Sequence, residues 1–253
     1  MIATGLLWII YLIVWRKYIY IFPAGLLGCA AIGIVNGIGS LFYYNGLYHL
    51  DASVAQVLNA SYLMFVVLLS HLGGQRMNIG TLLRVFLVVI GVVLTILGIA
   101  GQISWLGVAL MMGNAVLFAG TVVMSQRVLF EMPAPTMVLY VLTTMSIVVV
   151  IARLFDGSAW VTPQPAALWA IIALGGSTAL ARLTLFMGVK ELGLLRTALL
   201  SVLELAMTLL IAVLFLHEQL TALQWIGVVI MMTSLFLIRY EPRRHLNEAA
   251  SQV

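Results

Sequence analysis

The sequence predicts an all-α polytopic membrane protein of about nine transmembrane helices in two inverted repeats. Three observations lead there. Hydrophobic residues make up 64% of the 253 and charged residues 8%, with a mean hydropathy of +1.17, whereas soluble domains hold roughly 45–50% apolar and about 25% charged residues. The apolar residues gather into runs, most of which reach the roughly 20 residues needed to cross a bilayer. The layout of the first half then recurs in the second.

Taken in order, residues 2–15 are apolar and end at Arg16-Lys17. They read as a shortened transmembrane helix rather than a secretory signal, because no basic stretch precedes them and no small-residue cleavage site follows. No charge occurs between Lys17 and Asp51, and Gly25, Gly28, Gly33, Gly37 and Gly39 space this run for close helix contact. It also carries Asn36, Ser40, Tyr43, Tyr44 and Asn45, more polar surface than a lipid-facing helix holds. Residues 53–72 form the next span, with Gln56, Asn59, Ser61 and Tyr62, and Gly73-Gly74-Gln75-Arg76 turns the chain. A span over 79–99 follows, with Arg84 close enough to its end to extend its head group to water. Beyond Gly101-Gln102-Ile103-Ser104 come spans at about 105–126, 135–153, 166–189, 194–216 and 222–238. Prolines 133, 135, 163 and 165 fall between spans, where they interrupt no helix. Trp15, Trp105, Trp160 and Trp225 fall at span ends, as an interfacial aromatic belt places them.

Basic residues set the expected orientation. If Arg16-Lys17 is cytoplasmic, alternation places Arg76, Arg84, Arg127, Lys190, Arg196, Arg239, Arg243 and Arg244 on the same side, leaving only Arg153 opposite and Arg182 within a span. That bias predicts a cytoplasmic C-terminus. It also accounts for the net charge of +4 without an anionic macromolecule as partner.

A shift of 142 residues lays Gly33 on Gly175, Gly46 on Gly188, Leu50 on Leu192, Asn59 on Ser201 and Tyr62 on Glu204; one added residue then lays Gln75 on Glu218. Corresponding helices are separated by an odd number of spans, so the halves have opposite orientation, an arrangement typical of secondary transporters. The same shift leaves the span at 105–126 without a counterpart, and the first repeat is expected to lack its first helix. Residues 1–100 and 104–240 are the expected repeats, with 241–253 as a cytoplasmic tail.

The two segments LDASVAQVLNASYLMFVVLLSHLGGQRM and LGLLRTALLSVLELAMTLLIAVLFLHEQL, each followed by one more apolar helix, resemble the two EamA domains of the drug/metabolite transporter superfamily. The resemblance covers about residues 1–240. Where the family pattern has a glutamate-proline pair midway along the helix, this chain has Glu204-Leu205; the glycine-glutamate step at the helix end appears as His217-Glu218 and Gly74-Gln75. The resemblance implies two antiparallel repeats around a central cavity, fifth helices at the periphery, and export of small metabolites or drugs across the inner membrane of a bacterium. Lipid and a small-molecule substrate are the expected partners, with a second copy of the chain as a further candidate.

Arg182 and Glu204 are the foremost site candidates. A charge near the middle of a bilayer costs roughly 2.5–3.5 kcal/mol on insertion scales and is kept where it faces a partner or a watery cavity. As a functional pair, Arg182 anchors a carboxylate or phosphate through its planar fork, and Glu204 holds Arg182 in place while the site is empty. As a structural pair, the two simply join packed helices. Asn36, Ser40, Tyr43, Asn59, Tyr62 and Asn114 are softer candidates for a partly polar path. Taken singly, each is as well explained by a helix-to-helix hydrogen bond worth about 0.6 kcal/mol.

Other classes fit less well. The two aspartates, Asp51 and Asp156, and the four histidines lie at span ends without metal-ligand spacing, so an intramembrane enzyme lacks its groups. The single cysteine, Cys29, excludes an intrachain disulfide, and the 13 methionines are spread as packing material. No phosphate-binding GxxxxGK loop, no basic cluster interleaved with aromatics and no cofactor motif is present. A non-transporting scaffold or accessory subunit, or an inactive fragment of a ten-helix transporter, is the remaining alternative to a transporter.

Overall fold

The computed structural model describes residues 2–74, 79–98, 104–156, 165–215, 217 and 220–236, and the described residues form ten α-helices. These are α1 (Ile2–Ile13), α2 (Pro23–Leu47), α3 (Ala52–Ala60), α4 (Tyr62–Leu72), α5 (Ile79–Leu97), α6 (Trp105–Glu131), α7 (Ala134–Asp156), α8 (Pro165–Leu192), α9 (Leu194–Phe215) and α10 (Ala222–Phe236). Because α3 and α4 together make one span, the ten described helices amount to nine helical segments. Five stretches are long and apolar enough to cross a membrane by length and composition: Pro23–Leu47, Ala52–Leu72, Trp105–Phe130, Ala134–Asp156 and Leu168–Leu192. The chain is an integral, multi-pass membrane protein. Gln75, Trp160, Glu218 and the tail 241–253 lie outside the described residues.

Two boundaries differ from the expected ones. The span at 53–72 is broken at Ser61, whose hydroxyl donates to the Leu58 carbonyl at 2.6 Å while its backbone N–H takes the same carbonyl at 3.1 Å. This side-chain bond competes with the regular ladder and admits one tight turn. Residues 190–193, left between the expected spans at 166–189 and 194–216, are not a loop: α8 runs through Leu192 and only Gly193, at φ 86°, separates it from α9. Lys, Glu and Leu are good helix formers, so the break falls on the one residue that adopts a left-handed backbone without penalty.

Packing follows the pseudo-symmetry of the repeats. α5 lies along its counterpart α10, and α3 lies on its counterpart α9. At the first contact the backbones nearly touch, since a Cβ on Gly91 would sit 2.7 Å from the Gly227 carbonyl oxygen, and one on Gly227 2.6 Å from that of Gly91. Thr221 adds a hydrogen bond to the Gly98 carbonyl at 2.9 Å.

α2 is clasped on two sides. Gly33 and Gly37 admit Thr144 and Val148 of α7, while Gly39 and Gly46 admit Leu117 and Met111 of α6. In lipid, where tails are as apolar as the side chains, such close approach is what holds helices together. α1 is fixed to α7 by three donors, Thr4 Oγ1 to the Leu142 carbonyl at 3.1 Å, Trp8 Nε1 to Thr143 Oγ1 at 3.0 Å and the Tyr11 hydroxyl to the Pro135 carbonyl at 2.9 Å. α8, the counterpart of α2, is much less covered: Ala170, Ser177 and Ala181, which correspond to the α6-facing positions 28, 35 and 39 of α2, are exposed.

Candidate functional site

The centre of the bundle is bounded by α2, α3, α6, α8 and α9. Arg182 lies ten residues from the Leu192 end of α8 and Glu204 ten from the Leu194 start of α9, which at 1.5 Å per residue puts both about 15 Å from the α8–α9 junction. Sharing a depth across a one-residue joint, they lie at the same level within their helices. Their charges act on one another. Among the described residues, however, no carboxylate stands within ion-pair distance of Arg182, and the described ion pair, Arg153 with Asp156 at 2.8 Å, lies at the end of α7.

Each member has other company. The Arg182 guanidinium carbon lies 4.9 Å from the centre of the Phe118 ring, within cation–π range. Phe118 is in turn held edge-on by Tyr62 at a centroid distance of 4.8 Å. Glu204 Oε1 accepts from Gln56 Nε2 at 3.5 Å, and Gln56 Oε1 accepts from the Tyr43 hydroxyl at 3.5 Å. Both distances are at the long end of the hydrogen-bond range, so the Glu204 carboxylate is steered rather than clamped. It is exposed, with neighbours on α2, α3 and α8. Below them Asn114 Nδ2 donates to Asn59 Oδ1 at 2.7 Å, joining α6 to α3.

The structure thus brings Arg182, Glu204, Tyr43 and Tyr62 into one neighbourhood and pairs Asn59 with Asn114. Asn36 and Ser40 lie elsewhere. Both are buried against Met145 of α7, with Asn36 Nδ2 3.4 Å and Ser40 Oγ 3.9 Å from its sulfur, and Ser40 also bonds the Asn36 carbonyl at 2.9 Å. Sequence reasoning left out Gln56, Phe118 and Tyr44, of which Gln56 and Phe118 touch the two charges and Tyr44 acts electrostatically on Arg182. An aromatic or an amide inside an apolar helix looks the same in packing as in a site. The signal that could have found Gln56 is its place on the same helix face as Asn59, three residues on.

Chemically, the site offers one permanent cation backed by an aromatic face, one carboxylate held by a single long contact, and a fringe of amide and phenol groups. Among the described residues no cluster of His, Cys, Asp and Glu suited to a metal occurs. The arrangement can bind a small polar or charged molecule.

Comparison with known proteins agrees with the fold. A protein of known structure, described only as "Crystal structure of protein", superposes with a TM-score of 0.61 over 94% of this chain and 97% of its own, at 18% identity; at that identity the likeness concerns fold alone. No curated protein matches the sequence. The model of the EamA-like transporter family matches residues 1–97 and 105–240, nearly the whole chain and both repeats. The chain is a member of the EamA-like transporter family.

Proposed function

We propose that this chain is a secondary transporter that exports a small organic anion by alternating access, with the anion seated on Arg182. One observation carries the reading: a guanidinium at mid-span lies over Phe118 with no described carboxylate at ion-pair distance. A group that only joined helices would be closed on its partner, because an uncompensated charge in a dry interface is costly. Arg presents five donors in a planar fork that matches a carboxylate or a phosphate. Phe118 and Tyr62 supply an apolar wall for the rest of the molecule, and Glu204 rejects a second negative charge.

The inverted repeats supply the motion: rocking of one half against the other about a midplane site exposes it alternately to each side. The basic residues support a cytoplasmic C-terminus, and the family resemblance supports the inner membrane of a bacterium as location.

Counterflow in proteoliposomes tests the reading. Benzoate, inorganic phosphate, glucose and tetramethylammonium are offered to the wild type and to Arg182→Ala. Anion counterflow that disappears in the variant is expected; transport of the cation as fast as the anions would contradict it.

A further inference from the structure

We infer that Glu204 is the internal counter-ion that lets the carrier return without substrate, so that the Arg182–Glu204 pair decides between net transport and strict exchange. The inference rests on the transporter reading and on Arg182 as the anion anchor, and it adds a distinct role for the acid. An alternating-access carrier passes through a state in which its site is sealed from water on both sides. Arg182 stays protonated throughout, since a guanidinium does not give up its proton in proteins. Sealing it alone raises the barrier steeply, because the desolvation of one ion is then met by nothing. A bound anion neutralises it. Without one, a carboxylate of the chain must do so.

Glu204 is the described acid placed for this. Asp156 is held by Arg153 at 2.8 Å, Asp51 precedes α3 at the end of its span, Glu131 is the last residue of α6 and Glu191 lies one residue from the end of α8. Only Glu204 shares the depth of Arg182. Its carboxylate is not yet at ion-pair distance and is engaged at Oε1 by one long bond, 3.5 Å from Gln56 Nε2. A carboxylate has about four acceptor positions, so it can reach for Arg182 without breaking a tight network. The joint between α8 and α9 is the single residue Gly193 at φ 86°, so a small change in their mutual inclination brings the two side chains together. In the open arrangement Arg182 is available to an incoming anion; in the closed one the pair is neutral and can be sealed.

Removing the charge while keeping the shape therefore leaves the substrate as the anion that permits return. Glu204→Gln should impair net efflux far more than exchange of substrate for substrate. Proteoliposomes are loaded in parallel with radiolabelled benzoate, lactate or inorganic phosphate, an aromatic carboxylate, an aliphatic carboxylate and a phosphate. Release of label is then timed into buffer lacking the anion and into buffer containing it unlabelled. Wild type should release label into both. Glu204→Gln should slow release into anion-free buffer at least about tenfold more than it slows exchange. Glu204→Asp, which keeps the charge, should restore net efflux. Equal loss of both modes in Glu204→Gln, or loss of neither, overturns the inference and leaves the transporter reading intact. If wild type moves none of the three anions in either mode, the reading of Arg182 as an anion anchor fails and the inference with it.

Discussion

Replacing Gly33 by alanine tests how the central helices are held. A Cβ on Gly33 would sit 2.5 Å from Thr144 Cβ, 2.8 Å from the Val141 carbonyl oxygen and 3.1 Å from Thr144 Cγ2. The carbonyl is backbone and the threonine is β-branched, with its hydroxyl bonded to the Tyr140 carbonyl at 3.0 Å, so neither can turn aside. Ordinary contact begins at 3.4 Å, and relief requires α2 and α7 to part by about 0.9 Å over a well-packed interface, an overpacking of the kind that costs about 1–3 kcal/mol. Gly176 of α8 is the internal control, because a Cβ there meets nothing within 4 Å. Alanine at that position should gain about 0.5–1 kcal/mol of helix preference. For a chain of this size each kcal/mol moves the midpoint by about 2–4 °C. Gly33→Ala should therefore melt about 3–10 °C below wild type and Gly176→Ala at or slightly above it. Cys29 is the one cysteine and is fully buried, so a thiol-reactive dye that fluoresces when the bundle opens reports melting in detergent micelles. Equal shifts for the two variants would refute the close α2–α7 contact.

The other predictions concern the site and its frame. Asn59→Ala and Asn114→Ala, combined in a double-mutant cycle, should show a coupling of about 0.6 kcal/mol, the average for interhelical hydrogen bonds in membranes, measured in the same melting assay. Gly193→Ala forces a left-handed backbone, φ 86°, on a residue with a Cβ and should cost about 1–3 kcal/mol, with slowed exchange if the joint moves in the transport cycle. Phe118→Leu removes the ring under Arg182 and should weaken anion affinity about two- to fivefold, the worth of a part-exposed cation–π contact, as read from the concentration dependence of counterflow. Arg153→Gln at the end of α7 breaks an exposed i,i+3 pair and should leave melting unchanged within about 0.5 kcal/mol.

Much of this architecture is legible in the sequence because its signals are strong and local. Apolar runs give the crossings, and the 142-residue shift gives the correspondence of α2 with α8, of α3 and α4 with α9, and of α5 with α10; that α5 meets α10 and α3 meets α9 is visible only in the structure. Arg182 and Glu204 stand out for the same reason: a charge in an apolar helix has few innocent explanations. What the sequence hides depends on helix faces. Ser40 aligns with Arg182, yet the two environments differ. On α2 that position is closed against Met145, whereas on α8 Arg182 turns to Phe118. Gln56 and Phe118 are ordinary residues made functional by where α3 and α6 point them. The junction of α8 and α9 shows a different failure: the expected span ends at 189, and helix propensity carried α8 through to Leu192. At Ser61 nothing local announces a break, because serine interrupts a helix only when its hydroxyl turns back onto a carbonyl.

The most direct test of the central claim replaces the charge of Arg182 and then returns it chemically. In a Cys29→Ser background, Arg182→Cys should lose anion counterflow, and treatment with a methanethiosulfonate that attaches an ammonium group should restore part of it, while one that attaches a sulfonate should not. Full anion transport by untreated Arg182→Cys would contradict the claim that a positive charge at this position carries the substrate.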